Sequence, residues 1–151
     1  MAKTACRAAA IILQEGQIAL MRREKLGRLY YVFPGGKQEN GETGEQAAER
    51  EVEEELGLRV SAGQLVARTW FRSREQRYYL CAVTGGQFGS GQGPEFTRPF
   101  DPLHGTYQPV WLPVHALHTY PVLPQRVAEL VQIAQFQGWP AQPVVFDEET
   151  E

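Results

Sequence analysis

Residues 36–58 read GKQENGETGEQAAEREVEEELGL, and the organisation of the chain follows from how this stretch divides into a loop and a helix. Thr43 is a suitable N-cap, and Gln46, three residues on, closes a capping box. Ala47, Ala48, Val52 and Leu56 suit a helix interior, and Gly57 is a C-terminal stop. At about 100° per residue, Glu51, Glu54 and Glu55 fall at i, i+3 and i+4 and share one narrow face. Glu45, Glu49 and Glu53 point to the other side, as a solvated surface would. Carboxylates at these spacings repel one another, so a compensating partner is expected. A hard divalent cation such as Mg²⁺ meets the need, because it takes carboxylate oxygens together with those of a phosphate. A plain solvated acidic face is the competing reading.

Composition sets the wider frame. A chain of 151 residues, 42% hydrophobic and 22% charged, predicts one soluble globular domain with a real core. The net charge of −3 leaves no electrostatic footprint for a nucleic-acid polymer. Acidic residues concentrate in Glu39–Glu55 and Asp147–Glu151, so the remainder is relatively basic and suits a phosphate-bearing ligand. Cys6 and Cys81 lie far apart in strand-like runs, which reads as packed thiols in a reducing compartment and not as a disulfide framework or zinc site. The apolar run Ala8–Leu13 is too short for a signal peptide and no segment reaches membrane-spanning length, so a cytoplasmic protein without a membrane partner is expected.

The spacing Gly36, five residues, Glu42, seven residues, then Arg50-Glu51-Val52-x-Glu54-Glu55-x-Gly57-Leu58 resembles the Nudix box, and the chain resembles the Nudix hydrolase family. Nine constrained positions over 23 residues carry the likeness, which covers about a sixth of the chain. The resemblance implies an α/β/α sandwich with a mixed central sheet, of the α/β (α+β) class. It also implies a Mg²⁺ or Mn²⁺ cluster that cleaves a diphosphate linkage in a nucleoside diphosphate derivative. In such a site Glu51, Glu54 and Glu55 ligate metal, the Gly36 carbonyl completes the shell, and one of Glu51, Glu54 or Glu95 accepts the proton of the attacking water. Arg50, with Glu42 as its ion-pair partner, braces the loop against the helix.

Along the rest of the chain, Arg7–Leu13 and Gln17–Arg23 read as a hairpin, with Arg22 and Arg23 on opposite faces. Arg23 matches a position that contacts substrate in relatives. Lys25–Leu29 reads as a polar loop, and Tyr30–Phe33 as a short strand entering Pro34-Gly35-Gly36, where the glycines allow close backbone approach. Lys37 is a candidate phosphate partner. Gln64–Phe71 and Gln76–Val83 predict a second hairpin. Gly85–Pro94 lacks the lysine and the following helix of a P-loop and is read as a connection or a lid. Glu95, then Asp101, are the candidates for the further acid that the family brings from outside the box. Tyr107–Leu112 reads as the last strand, Pro113–Leu117 as a turn, and Pro124–Gln137 as a closing amphipathic helix. His115 and His118 are read as surface or packing residues. Residues 1–138 form the domain, and 139–151 a loosely held Pro-rich, acidic tail.

The function expected is thus a Mg²⁺-dependent hydrolysis of a nucleoside diphosphate linked to a moiety X, giving the monophosphate and phosphorylated X. Residues 34–42, PGGKQENGE, look like those of nucleoside triphosphate pyrophosphatases. ADP-ribose-cleaving relatives carry a proline some fifteen residues past the box, and none stands between Pro34 and Pro94. The alternative is a non-catalytic nucleotide-sensing module of the same fold, although such modules have eroded boxes and this one is complete. Tyr30, Tyr31, Trp70, Phe71, Tyr78 and Tyr79 are candidates for stacking a base. The sequence leaves the oligomeric state and the nucleotide open.

Overall fold

The structure, a computed structural model, describes residues 6–146. Its centre is β1 (Arg7–Gln14), whose unbroken apolar run is explained by burial on both faces. Period-two alternation sends Ala8, Ala10 and Ile12 into one core and Ala9 and Ile11 into another. The first core packs beneath α1 (Gly44–Leu56) through Ala47, Ala48, Val52 and Leu56. The second lies beneath α3 (Gln125–Gln137) through Val127, Ala128 and Val131. The expected mixed sheet between helices is the architecture observed.

Strands β2 (Gln17–Lys25), β3 (Arg28–Val32), β5 (Leu58–Phe71) and β6 (Arg74–Gly86) build most of the sheet, which β8 (Val122–Leu123) and β9 (Val144–Val145) extend to the order β8-β3-β2-β1-β6-β5-β9. β1 and β6 run parallel; the long β5–β6 hairpin is antiparallel. Two strands branch from this path: β4 (Gly35–Lys37) on β1 and β7 (Thr106–Pro113) on β2. β4 was not expected. It pairs Arg7 with Lys37 and Ala8 with Gly36, so the loop entering α1 is pinned to the central strand.

Several boundaries differ from the sequence reading for identifiable reasons. β5 starts directly after Gly57, six residues before the expected Gln64, because register shifts near Val60 and Ala62–Ala67 break the alternation that would have revealed it. At the first of the Ala62–Leu65 irregularities, Glu49 accepts a hydrogen bond from the Ala62 amide at 2.9 Å. Glu49 is therefore a structural acceptor and not only a solvated residue. The Lys25–Leu29 loop shrinks to a two-residue turn at Leu26-Gly27. β7 is not the last strand, since β8 and β9 follow, and Pro113–Leu117 is replaced by a 3₁₀ helix at Val114–Thr119. A four-residue helix, α2 (Pro94–Thr97), begins where none was expected. Residues 139–146, expected to be loosely held, are tied to the sheet. Val144–Val145 pairs with Ala67-Arg68, the Phe146 amide donates to the Arg68 carbonyl at 2.9 Å, and Trp139 packs on the core. Residues 147–151 lie outside the described residues. Among those described, no helix is long and apolar enough to cross a membrane.

The α1 caps agree with the sequence. Thr43 Oγ1 accepts from the Gln46 amide at 3.1 Å, Gln46 Oε1 accepts from the Thr43 amide at 2.9 Å, and Gly57 closes the helix at φ 78°. Thr43→Ala should lower stability by about 1 kcal/mol, read as a fall of roughly 2–4 °C in thermal midpoint for a chain of this size.

Candidate active site

Two of the carboxylates on α1, Glu51 and Glu54, are held by Arg50. Arg50 Nε donates to Glu42 Oε2 at 2.7 Å and Arg50 Nη2 to Glu42 Oε1 at 3.0 Å, a two-pronged pairing across the loop. Arg50 Nη2 also reaches the Lys37 carbonyl at 3.0 Å, and Nη1 reaches Glu51 Oε1 at 2.9 Å and Glu54 Oε2 at 3.4 Å. Glu42 further accepts from the Glu39 amide at 2.9 Å, which folds the loop back on itself. The hydrogen bonds from Arg50 hold the Glu42 carboxyl below the usual carboxylate range. In return, the Glu42 carboxylate above all pushes the Arg50 guanidinium further up.

Glu51, Glu55 and Glu95 converge: one oxygen from each lies within 4.8 Å of the others. Glu55 is 7% exposed, and burial first, then the hydrogen bond and charge of Glu51 and the charge of Glu95, drive its pKa well above 4.5. Glu95 comes from outside the box. Its Oε1 is shut off from solvent and has no hydrogen-bond partner among the described residues. A buried carboxylate oxygen without a partner is costly unless something cationic meets it. The donor set is all oxygen, which suits Mg²⁺ or Mn²⁺ and not a soft metal. Gly36 closes the other side: a Cβ there would run into the Glu51 carboxylate, with its Oε2 at 2.7 Å. Only a glycine lets this backbone lie so close to the acids.

Glu54 shares the helix face but stays outside the converging trio, turned toward Arg50. Burial, followed by the charge of Glu51, raises its pKa, while Arg50 opposes the rise.

Glu95 reaches the site because residues 87–93 ride on the carboxyl end of α1. The Gly89 amide donates to the Leu56 carbonyl at 2.8 Å and the Gly93 amide to the Glu54 carbonyl at 2.9 Å. A side chain at position 91 would collide with α1, its Cβ 2.5 Å from the Glu54 carbonyl oxygen. The run Gly85–Pro94 is thus a strap fastened to the helix. Its only sequence signal is the density of glycines. Asp101 is placed elsewhere, accepting from the Leu103 amide at 3.0 Å and pairing with His104 Nδ1 at 2.6 Å.

Arg23 donates from Nε to the Thr106 carbonyl at 3.0 Å and from Nη2 to the His104 carbonyl, and it stacks 3.7 Å from the Tyr107 ring centre. It also rims a cavity of about 240 Å³ that Tyr30, Phe33, Trp70 and Phe71 help to line. Of the aromatic candidates, Tyr31, Tyr78 and Tyr79 are core residues, while Tyr30, Trp70 and Phe71 are accessible at the cavity. The Lys37 side chain is exposed on β4. His118 Nδ1 lies 3.1 Å from Gln132 Nε2, a packing contact between the 3₁₀ helix and α3.

The NUDIX domain model matches residues 4–132, and the chain belongs to the Nudix hydrolase family. A Nudix hydrolase of Nitrosomonas europaea shares the fold with a TM-score of 0.73 at 17% identity, covering 97% of this chain and 81% of that one. A MutT from a study of Aliivibrio salmonicida and Vibrio cholerae is 29% identical, with a TM-score of 0.61 over 89% of this chain and all of the other, 100%. The Mycobacterium tuberculosis (strain CDC 1551 / Oshkosh) protein called "Putative mutator protein MutT4" is 37% identical over 84 residues, 49% of this chain. The match spans only 34% of that curated relative's length.

Glu55→Gln should raise the metal-free melting temperature at neutral pH by a few degrees, at roughly 2–4 °C per kcal/mol, because it removes a buried charge first and its repulsion with Glu51 and Glu95 second. The sign follows from the raised pKa. A carboxyl that prefers its proton in the folded state adds stability below the unfolded value of 4.5 and loses it as pH rises through the folded value. The difference between variant and parent should therefore vanish below about pH 4.5, which thermal melts across pH would read. Added Mg²⁺ should raise the melting temperature of the parent and leave that of the variant unmoved.

Proposed function

We propose that the protein is a divalent-metal-dependent pyrophosphohydrolase that cleaves the diphosphate linkage of a nucleoside diphosphate derivative, releasing a nucleoside monophosphate and a phosphorylated X. The observation that carries this reading is the convergence of Glu51, Glu55 and Glu95, the last of which also has one buried oxygen without a partner among the described residues. These three, with the carbonyl of Gly36, would hold Mg²⁺, with Mn²⁺ able to replace it. A bound ion of this kind neutralises the phosphate oxygens and lowers the pKa of water.

The residues themselves divide the remaining work. Glu54 stands beside the trio with a raised affinity for protons, the property that suits a group taking the proton of an attacking water. Glu51 and Glu95, the other two candidates for that task, are engaged in the trio. Arg50 neutralises part of the acidic face and fixes Glu51 and Glu54 in position, while Glu42 fixes Arg50. Lys37 and Arg23 supply positive charge on the approach to the acids. The aromatic cavity beside Arg23 takes the nucleobase. At about 240 Å³ it is smaller than the roughly 300–1,000 Å³ that encloses a whole drug-sized ligand, so it admits a ring system and leaves the phosphates outside. The likeness to MutT and the PGGKQENGE segment favour a nucleoside triphosphate as the substrate.

Turnover of a nucleotide panel with Mg²⁺, followed as released nucleoside monophosphate or, for triphosphates, pyrophosphate, tests the reading. Glu54→Gln should lower kcat by about 10²–10⁴-fold, the range for loss of a general base, with KM and melting temperature little changed. A parent-like rate in that variant would sink the assignment. Tight nucleotide binding by a parent enzyme with no metal-dependent turnover would instead establish the sensing module.

A further inference from the structure

Thr69, Gln76 and Arg7 are directly registered neighbours on β5, β6 and β1: Thr69 pairs with Gln76, and Gln76 pairs with Arg7. They form one polar row across three strands, and all three line the aromatic cavity. The next row inward on the same face, Ala67, Tyr78 and Ala9, belongs to the closed core. The sheet thus changes from packing surface to hydrogen-bonding surface at the cavity wall. Adjacent strands are about 4.8 Å apart, so the row presents polar groups in a line about 10 Å long.

Thr69 is the unusual member. It is 1% exposed, and its Oγ1 has no hydrogen-bond partner among the described residues. A valine would fill the same space without leaving a hydroxyl unsatisfied, so the hydroxyl is unexplained by folding alone. A rotation of about 120° at χ1 exchanges the places of its methyl and hydroxyl. Gln76 has its amide oxygen engaged by the Tyr78 hydroxyl at 3.2 Å, which orients Nε2 as a donor. Arg7 is donor-only, and a threonine hydroxyl donates as well as accepts. The row is therefore rich in donors, and its complement is a planar edge rich in acceptors.

We propose that the row Arg7–Gln76–Thr69 reads the edge of the substrate's nucleobase and selects guanine, through O6 and N7, and uracil, through O4, over adenine and cytosine, which carry an amino donor where those bases carry the oxo group, with Thr69 a specificity-determining residue. The inference rests on the nucleobase occupying this cavity, as proposed above. It gives a reason for the buried hydroxyl that packing does not. Arg7 is registered with Lys37 and Ala8 with Gly36, so one strand end carries both the reading row and the wall of the carboxylate cluster.

Equilibrium binding without metal separates this claim from catalysis. GMP, UMP, AMP and CMP would each be titrated into the parent protein, Thr69→Val and Gln76→Leu, following the fluorescence of Trp70 in the cavity wall with calorimetry as a check. The parent should bind GMP or UMP at least tenfold more tightly than AMP and CMP, about the worth of one net hydrogen bond. Each variant should lose most of that margin, while affinity for AMP and CMP changes less than threefold. Which of GMP and UMP binds more tightly separates a purine from a pyrimidine reader. Thr69→Val should also melt no lower than the parent, whereas a hydroxyl with a structural role would show a fall. Equal affinities, a preference for AMP or CMP, no binding of any monophosphate, or an unchanged margin in both variants would overturn the proposal. Absence of turnover in the parent would defeat the hydrolase reading and leave these titrations interpretable.

Discussion

Repulsion among carboxylates is the constraint around which this molecule is arranged. A helix that gathers Glu51, Glu54 and Glu55 on one face, and receives Glu95 from another segment, is opposed by its own charge. Arg50 is the internal remedy, touching Glu42, Glu51 and Glu54 together. One guanidinium cannot balance so many acids: burial first, and then the neighbouring Glu51, raise the pKa values of Glu54 and Glu55. The same deficit makes the face attractive to a divalent ion. On the proposed reading, stability is given up locally to leave a prepared set of oxygens for a cation.

The framework around this face is correspondingly rigid. The capping box fixes where α1 starts, β4 pins the preceding loop to β1, and small residues on both sides let the helix sit close to the sheet. The two cores on either side of β1 share the alternation of one strand. Displacement of β1 would therefore disturb the acid cluster and the aromatic cavity at once.

The local elements of α1 were legible in the sequence because their signals are local. Thr43 with Gln46, the Ala47–Leu56 stripe and Gly57 each act within a turn or two of helix. The pairing of Arg50 with Glu42 was legible through the box spacing. What escaped is what depends on distant strands. β4 is three residues long and exists only because β1 offers an edge to it, and β9 exists only because β5 does. The early start of β5 was masked by bulges that Glu49 helps to satisfy. Glu95 could be named as a candidate acid, yet its arrival beside Glu51 and Glu55 depends on amide-to-carbonyl bonds that leave no mark beyond scattered glycines. The row of Arg7, Gln76 and Thr69 was invisible for the same reason: its members are 69 and 7 positions apart, and only strand register aligns them.

The strap across the end of α1 has a consequence for how this scaffold can vary. Because Gly89 and Gly93 are bonded to carbonyls of that helix, Glu95 moves with the helix and not with the chain that follows. Residues 98–104, exposed apart from a half-buried Asp101, can then be lengthened, shortened or exchanged as a cassette while the acid keeps its place. Variation in that segment is thereby decoupled from the placement of the acid.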